Sequence, residues 1–98
     1  MHSGFNPYNS RLWDYSIDED SNSVSFNLVS PDMDQGFPGE FNITVTYSLD
    51  NDNNLKIKYT GTSNKDTIAN MTNHSYFNLS GHNSGTAMEH KLYINADK

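Results

Sequence analysis

The sequence predicts an all-β fold of antiparallel strands, and two observations carry that reading. First, Phe41, Ile43, Val45, Tyr47 and Leu49 alternate strictly with Asn42, Thr44, Thr46 and Ser48, and the alternation resumes with Leu55, Ile57 and Tyr59 against Lys56, Lys58 and Thr60. Successive strand residues point to opposite faces, so both runs have one apolar and one polar side. Second, no stretch carries apolar residues at helical spacing, which leaves a sheet as the way to bury them.

Taken in order, 1–13 reads as an irregular loop running into a strand, because Gly4 and Pro7 interrupt regular structure among several Asn and Ser residues. Trp13 and Tyr15 then alternate with Asp14 and Ser16, as at a sheet edge. An acidic turn from Asp18 to Ser23 leads into a strand with Val24, Phe26 and Leu28 on one side. Pro31, Gly36, Pro38 and Gly39 mark a loop in which Asp32, Asp34 and Glu40 lack EF-hand spacing and read as solvated carboxylates. The run Asp50-Asn51-Asp52-Asn53-Asn54 between two alternating segments signals a hairpin. Its Thr- and Lys-rich outer face discourages edge-to-edge association. Gly61 to Asp66 is read as a turn, Thr67 to Leu79 as a further strand, Ser80 to Gly85 as a flexible turn, and Leu92 to Ile94 as a last short strand. His82 and His90 have no carboxylate at metal spacing and default to surface histidines.

With 98 residues there is room for one small domain or part of a larger one, and a hydrophobic content of 34% leaves little for a large private core. Twelve acidic residues against six basic give a net charge of −6. Neither nucleic acid nor an anionic membrane surface is therefore an expected partner. No apolar run is long enough for a membrane helix, and no signal peptide is visible. The absence of Cys removes disulfides and thiolate metal sites and fits a cytoplasmic location. Four sequons, at Asn42, Asn70, Asn73 and Asn78, are ordinary in so Asn-rich a chain.

The chemistry concentrates in Thr72-Asn73-His74-Ser75-Tyr76-Phe77-Asn78-Leu79. As a strand this stretch puts Thr72, His74, Tyr76 and Asn78 on one face. Pattern alone favours a half-buried strand with a wet outer face over a strand lining a polar pocket. G-x-S-x-G, P-loop and dinucleotide fingerprints are absent, so no cofactor and no metal are expected. Proton transfer by His is the remaining scheme, since imidazole works near neutral pH without special tuning.

Asn73 to Leu79, followed by Ser80-Gly81, closely resembles the Asn-His-Ser-Tyr-Phe-Asn-Leu motif of the aldose 1-epimerases (galactose mutarotases). His2-Ser3-Gly4 with Arg11-Leu12-Trp13 is similar to that family's His-Gly-Gly loop and following Trp, although Ser3 stands where Gly is usual. Ser30-Pro31-Asp32 through Gly36-Phe37-Pro38-Gly39 resembles its Ser-Pro-Asp and Gly-Tyr-Pro-Gly loop, and His90 to Asp97 its strand ending in Ala-Asp.

The resemblance implies an antiparallel β-sandwich of the galactose mutarotase type, with 1–98 forming only part of the complete domain. It implies interconversion of the α and β anomers of galactose- or glucose-like aldoses, with an aldose as the small-molecule partner. Carried onto this sequence, His74 is the general acid at the ring oxygen, and His2 and Tyr76 are substrate-binding residues. The family's sugar-binding Arg and Asp and its Glu base have no counterpart here. The expectation is thus an internal or truncated fragment, inactive alone and prone to self-association through its uncovered apolar face. Two other readings stay open. One is a hexose-6-phosphate 1-epimerase of the same fold, which needs an Arg/Lys cluster. The other is a non-catalytic carbohydrate-binding β-domain that stacks sugars on Trp13, Tyr8 or Tyr76.

Overall fold

Strands form where the side chains alternate and a neighbouring strand is at hand. The computed structural model describes residues 4–97. Its strands are β1 (Asp14–Asp18), β2 (Ser23–Ser30), β3 (Phe41–Leu49) and β4 (Leu55–Ser63), joined as one antiparallel sheet in the order β1-β2-β3-β4. The all-β class is as expected, and the described residues form one sheet.

Register sorts the sheet into two unlike faces. Tyr15 pairs with Phe26, Phe26 with Val45 and Val45 with Tyr59, so one apolar row crosses all four strands. A parallel row runs through Ile17, Val24, Tyr47 and Ile57. On the opposite face Ser25 and Thr46 share a hydrogen bond of 2.8 Å, and Asn27 Nδ2 donates to Thr44 Oγ1 at 3.0 Å and to Asn42 Oδ1 at 2.7 Å. Cross-strand pairs of this kind hold the register. Among the described residues the buried apolar side chains are Ile43 and Val45, 1% and 7% exposed, both on central β3.

The turns follow from their side chains. Asp50 Oδ1 accepts the backbone N–H groups of Asp52 (3.0 Å) and Asn54 (2.9 Å), and Asn53 adopts a left-handed φ of 63° that Asn tolerates better than most residues. The expected β3–β4 hairpin therefore forms. In the β1–β2 turn, Asp18 accepts from the backbone of Asp20 and Ser21 in the same way.

Two expectations about strands are corrected. Gly61 does not open a turn: it pairs with Ile43 and β4 continues to Ser63. A Cβ at Gly61 would lie 2.6 Å from Phe41 Cζ, so the missing side chain is what lets that ring cover the strand. Nor do 67–79 and 92–94 form strands, because 64–97 joins no ladder among the described residues. Alternation supplies a face but no hydrogen-bond partner, and without a neighbouring strand the backbone stays irregular.

Substituting Gly61→Ala is expected to destabilise the fold by about 1–3 kcal/mol through overpacking against Phe41. The loss should be less than additive in the Phe41→Leu, Gly61→Ala pair. Urea unfolding followed by circular dichroism measures both, and an unchanged midpoint for Gly61→Ala would contradict the packing account.

Candidate active site

The apolar face of the sheet is only partly covered, and a cleft of about 1060 Å³ opens over it. That is at the upper end of the range for small-molecule sites. Phe26 of β2, Phe41, Val45 and Tyr47 of β3, and Tyr59 of β4 supply the sheet side. The 8–13 loop and the 67–74 segment also line it.

The 8–13 loop is fixed by charge and aromatic contacts. Arg11 donates through Nη1 to Asp34 Oδ2 and through Nη2 to Asp34 Oδ1 (3.0 Å), the forked geometry that suits guanidinium and carboxylate. Both side chains are largely enclosed, 12% and 10% exposed. Arg11 Nε also donates to the carbonyl of Asn6 (3.0 Å), and its guanidinium carbon lies 5.0 Å from the Tyr8 ring centre. Trp13 Nε1 donates to the Tyr8 carbonyl at 2.9 Å, and the two rings meet edge to face. Gln35 Oε1 accepts from the backbone N–H groups of Phe5 (2.7 Å) and Asn6 (3.1 Å). Gln35 has a left-handed φ of 53°, a costly conformation for a non-Gly residue that this anchoring offsets.

Asp34 is thus no solvated loop carboxylate, which corrects the expectation from sequence. Its hydrogen bond from Arg11, with further ones from Ser30 and Gln35, holds its carboxyl far below the usual carboxylate range despite partial burial. The same pair raises the Arg11 guanidinium. Asp34 is the carboxylate among the described residues lining the cleft, and so depressed a group is a poor proton acceptor near neutral pH. Burial first, and Tyr47 second, push the Tyr59 phenol above its ordinary value, so it remains a hydrogen-bond donor.

His74 lines the cleft from an exposed position on the 67–74 segment. Its ring lies 5.3 Å from that of Tyr76, tilted by 55°. Tyr76 is 91% exposed and lies outside the cleft lining, so it touches the site through His74. His2 falls outside the described residues. Asn73 Nδ2 donates to the Tyr47 hydroxyl at 3.3 Å, joining the motif to β3. At the motif's other end, His90 Nε2 accepts the Leu79 backbone N–H at 2.8 Å. His90 is accordingly half-buried and bonded rather than a free surface histidine, and the accepting nitrogen must carry a lone pair. Sequence reasoning assigned no site role to Arg11, Asp34 or Tyr47; the available signals were Arg11's place in the family-like Arg11-Leu12-Trp13 stretch and its being the chain's sole Arg.

No described helix is long and apolar enough to cross a membrane. The family model for aldose 1-epimerase matches residues 1–98, the whole chain. The chain belongs to the aldose 1-epimerase family. It is 52% identical over 77 residues to an aldose 1-epimerase of Haemophilus influenzae, covering 78% of this chain and 23% of that protein. It is 41% identical over 97 residues to a galactose mutarotase of Rattus norvegicus (99% and 28% covered), and 43% over 98 residues to an aldose 1-epimerase of Escherichia coli (100% and 28%). The chain therefore spans about a quarter of the length of the curated relatives it matches. No solved structure matches it.

The Asp34 environment sets a pH dependence for this family member. A carboxyl whose folded pKa is depressed contributes stability above its unfolded pKa of about 3.9, and that contribution is lost as pH falls. Asp34→Asn is expected to cost roughly 1.5–3 kcal/mol at neutral pH, with the difference from the unsubstituted chain shrinking below about pH 4. Urea titrations across that range test it, and a pH-independent difference would assign the effect to something other than charge.

Proposed function

We propose that residues 1–98 are part of a single mutarotase-like domain and contribute the acid-bearing side of an aldose 1-epimerase site. The observation that carries this reading is the place of His74, within the family-matching motif and on an aromatic cleft. In the proposed reaction the imidazolium of His74 gives its proton to the pyranose ring oxygen while a carboxylate takes the proton of the anomeric hydroxyl. The C1–O5 bond breaks, C1 becomes an aldehyde, and rotation about C1–C2 turns its other face to the ring oxygen. Reclosure returns both protons, so acid and base are regenerated.

His2 and Tyr76 are proposed sugar-binding residues, and the aldose is of the galactose or glucose type. Asp34 is too weak a base for the second role, so we assign that role to a Glu outside these residues. A hexose 6-phosphate is disfavoured, because the cleft's guanidinium is already committed to Asp34. The aromatic lining also suits a non-catalytic sugar-binding domain, which has no need of His74 as a proton donor.

Anomer exchange of α-galactose, followed by polarimetry, separates these readings. In a polypeptide extended to the relatives' full length, His74→Ala is expected to lower kcat by about 10²–10⁴. The 98 residues alone are expected to leave the uncatalysed rate unchanged. Undiminished turnover by His74→Ala would reject the acid role, and exchange catalysed by the 98 residues would reject a base lying elsewhere.

A further inference from the structure

The motif segment needs a fixed point, since 64–97 joins no ladder among the described residues. Tyr47 offers one. It sits on β3 with Val24 on one side and Ile57 on the other. Its ring packs edge-on against Phe26, with centres 6.1 Å apart and planes at 79°. Held on three sides, its hydroxyl has little freedom. That hydroxyl accepts the Asn73 Nδ2–H at 3.3 Å in a partly buried position. The other end of the same carboxamide, Asn73 Oδ1, accepts the backbone N–H of Ser75 at 2.9 Å.

Both ends of the Asn73 amide are therefore used, one on the sheet and one closing a short turn around His74. The His74 ring itself has one described ring contact, to the exposed Tyr76. The Asn73 turn holds the backbone that carries it.

We propose that Tyr47 is a positioning residue: through the Asn73 carboxamide its hydroxyl sets where the His74 imidazole stands over the cleft. Tyr47 does not act on the sugar in this proposal. A displacement of about 1 Å at an acid–base group can cost on the order of a hundredfold in rate, so one hydroxyl on a rigid strand is a sufficient lever. The kinetic part rests on the epimerase reading above, whereas the positional part does not.

Tyr47→Phe is the direct test, because it keeps the ring and removes only the acceptor. In the 98-residue chain, Tyr47→Phe and Asn73→Ala are each expected to move the His74 ring resonances in proton–carbon correlation spectra. The double variant should move them no further than the larger single change. The thermal midpoint and the resonances of the 50–54 hairpin loop should stay where they are in Tyr47→Phe. In the full-length polypeptide, Tyr47→Phe is expected to lower kcat roughly tenfold with KM unchanged.

Unmoved His74 resonances in Tyr47→Phe would overturn the proposal. So would shifts spread over the whole sheet with a lowered midpoint, which would mark a structural role only. If His74→Ala retains full turnover while the Tyr47→Phe shifts appear, the epimerase reading fails and the positioning contact stands. If His74→Ala abolishes turnover and Tyr47→Phe changes neither resonances nor kcat, the positioning proposal alone fails.

Discussion

Ile43 and Val45 keep the centre of one sheet face out of water, and each other feature of the molecule is placed with respect to that face. Full burial of such a side chain contributes about 1.5–3 kcal/mol, which is large beside the few kcal/mol that separate folded from unfolded chains. Because β3 is central, these two side chains sit where both hairpins meet. The apolar rows that extend from them reach solvent toward the edges, where Tyr15 and Ile17 of β1 stand exposed. The cleft lies over the same face, so the surface that stabilises the sheet also provides the aromatic side of the site.

Polar contacts do the rest of the shaping. The Arg11–Asp34 fork and Gln35 fasten the loop before β1 to the loop between β2 and β3, across 23 or more residues of sequence. That arrangement consumes the one carboxylate among the described residues of the cleft. Among the described residues the cleft is left with an imidazole, phenols and amides, and its carboxylate is committed to Arg11. The chain spans about a quarter of the length of its relatives, and the proposed base is assigned outside it.

Alternation made the sheet legible: β3, the hairpin and the apolar side of β2 can be read from their residues because a period of two requires no knowledge of partners. The His74 motif was legible as a family signature. Its conformation was not, because 67–79 has a strand's pattern without a strand's neighbour. Gly61 read as a turn since its role depends on the Phe41 ring, which lies twenty residues away. Asp34 looked solvated for the same kind of reason: its partner is set by how two loops pack, and no local spacing encodes that. His90 likewise gained its partner, Leu79, from the path of an irregular segment.

The proposed epimerase site requires the sugar to bind on the apolar face of the sheet. Proton–carbon spectra of a polypeptide extended to the relatives' full length, recorded with and without saturating galactose, test this most directly. Perturbations at His74, Trp13 and Tyr47, with none at Thr44, Thr46 or Lys58 on the opposite face, are the predicted result. Perturbations confined to the Thr- and Lys-bearing face, or an unchanged spectrum throughout, would contradict it.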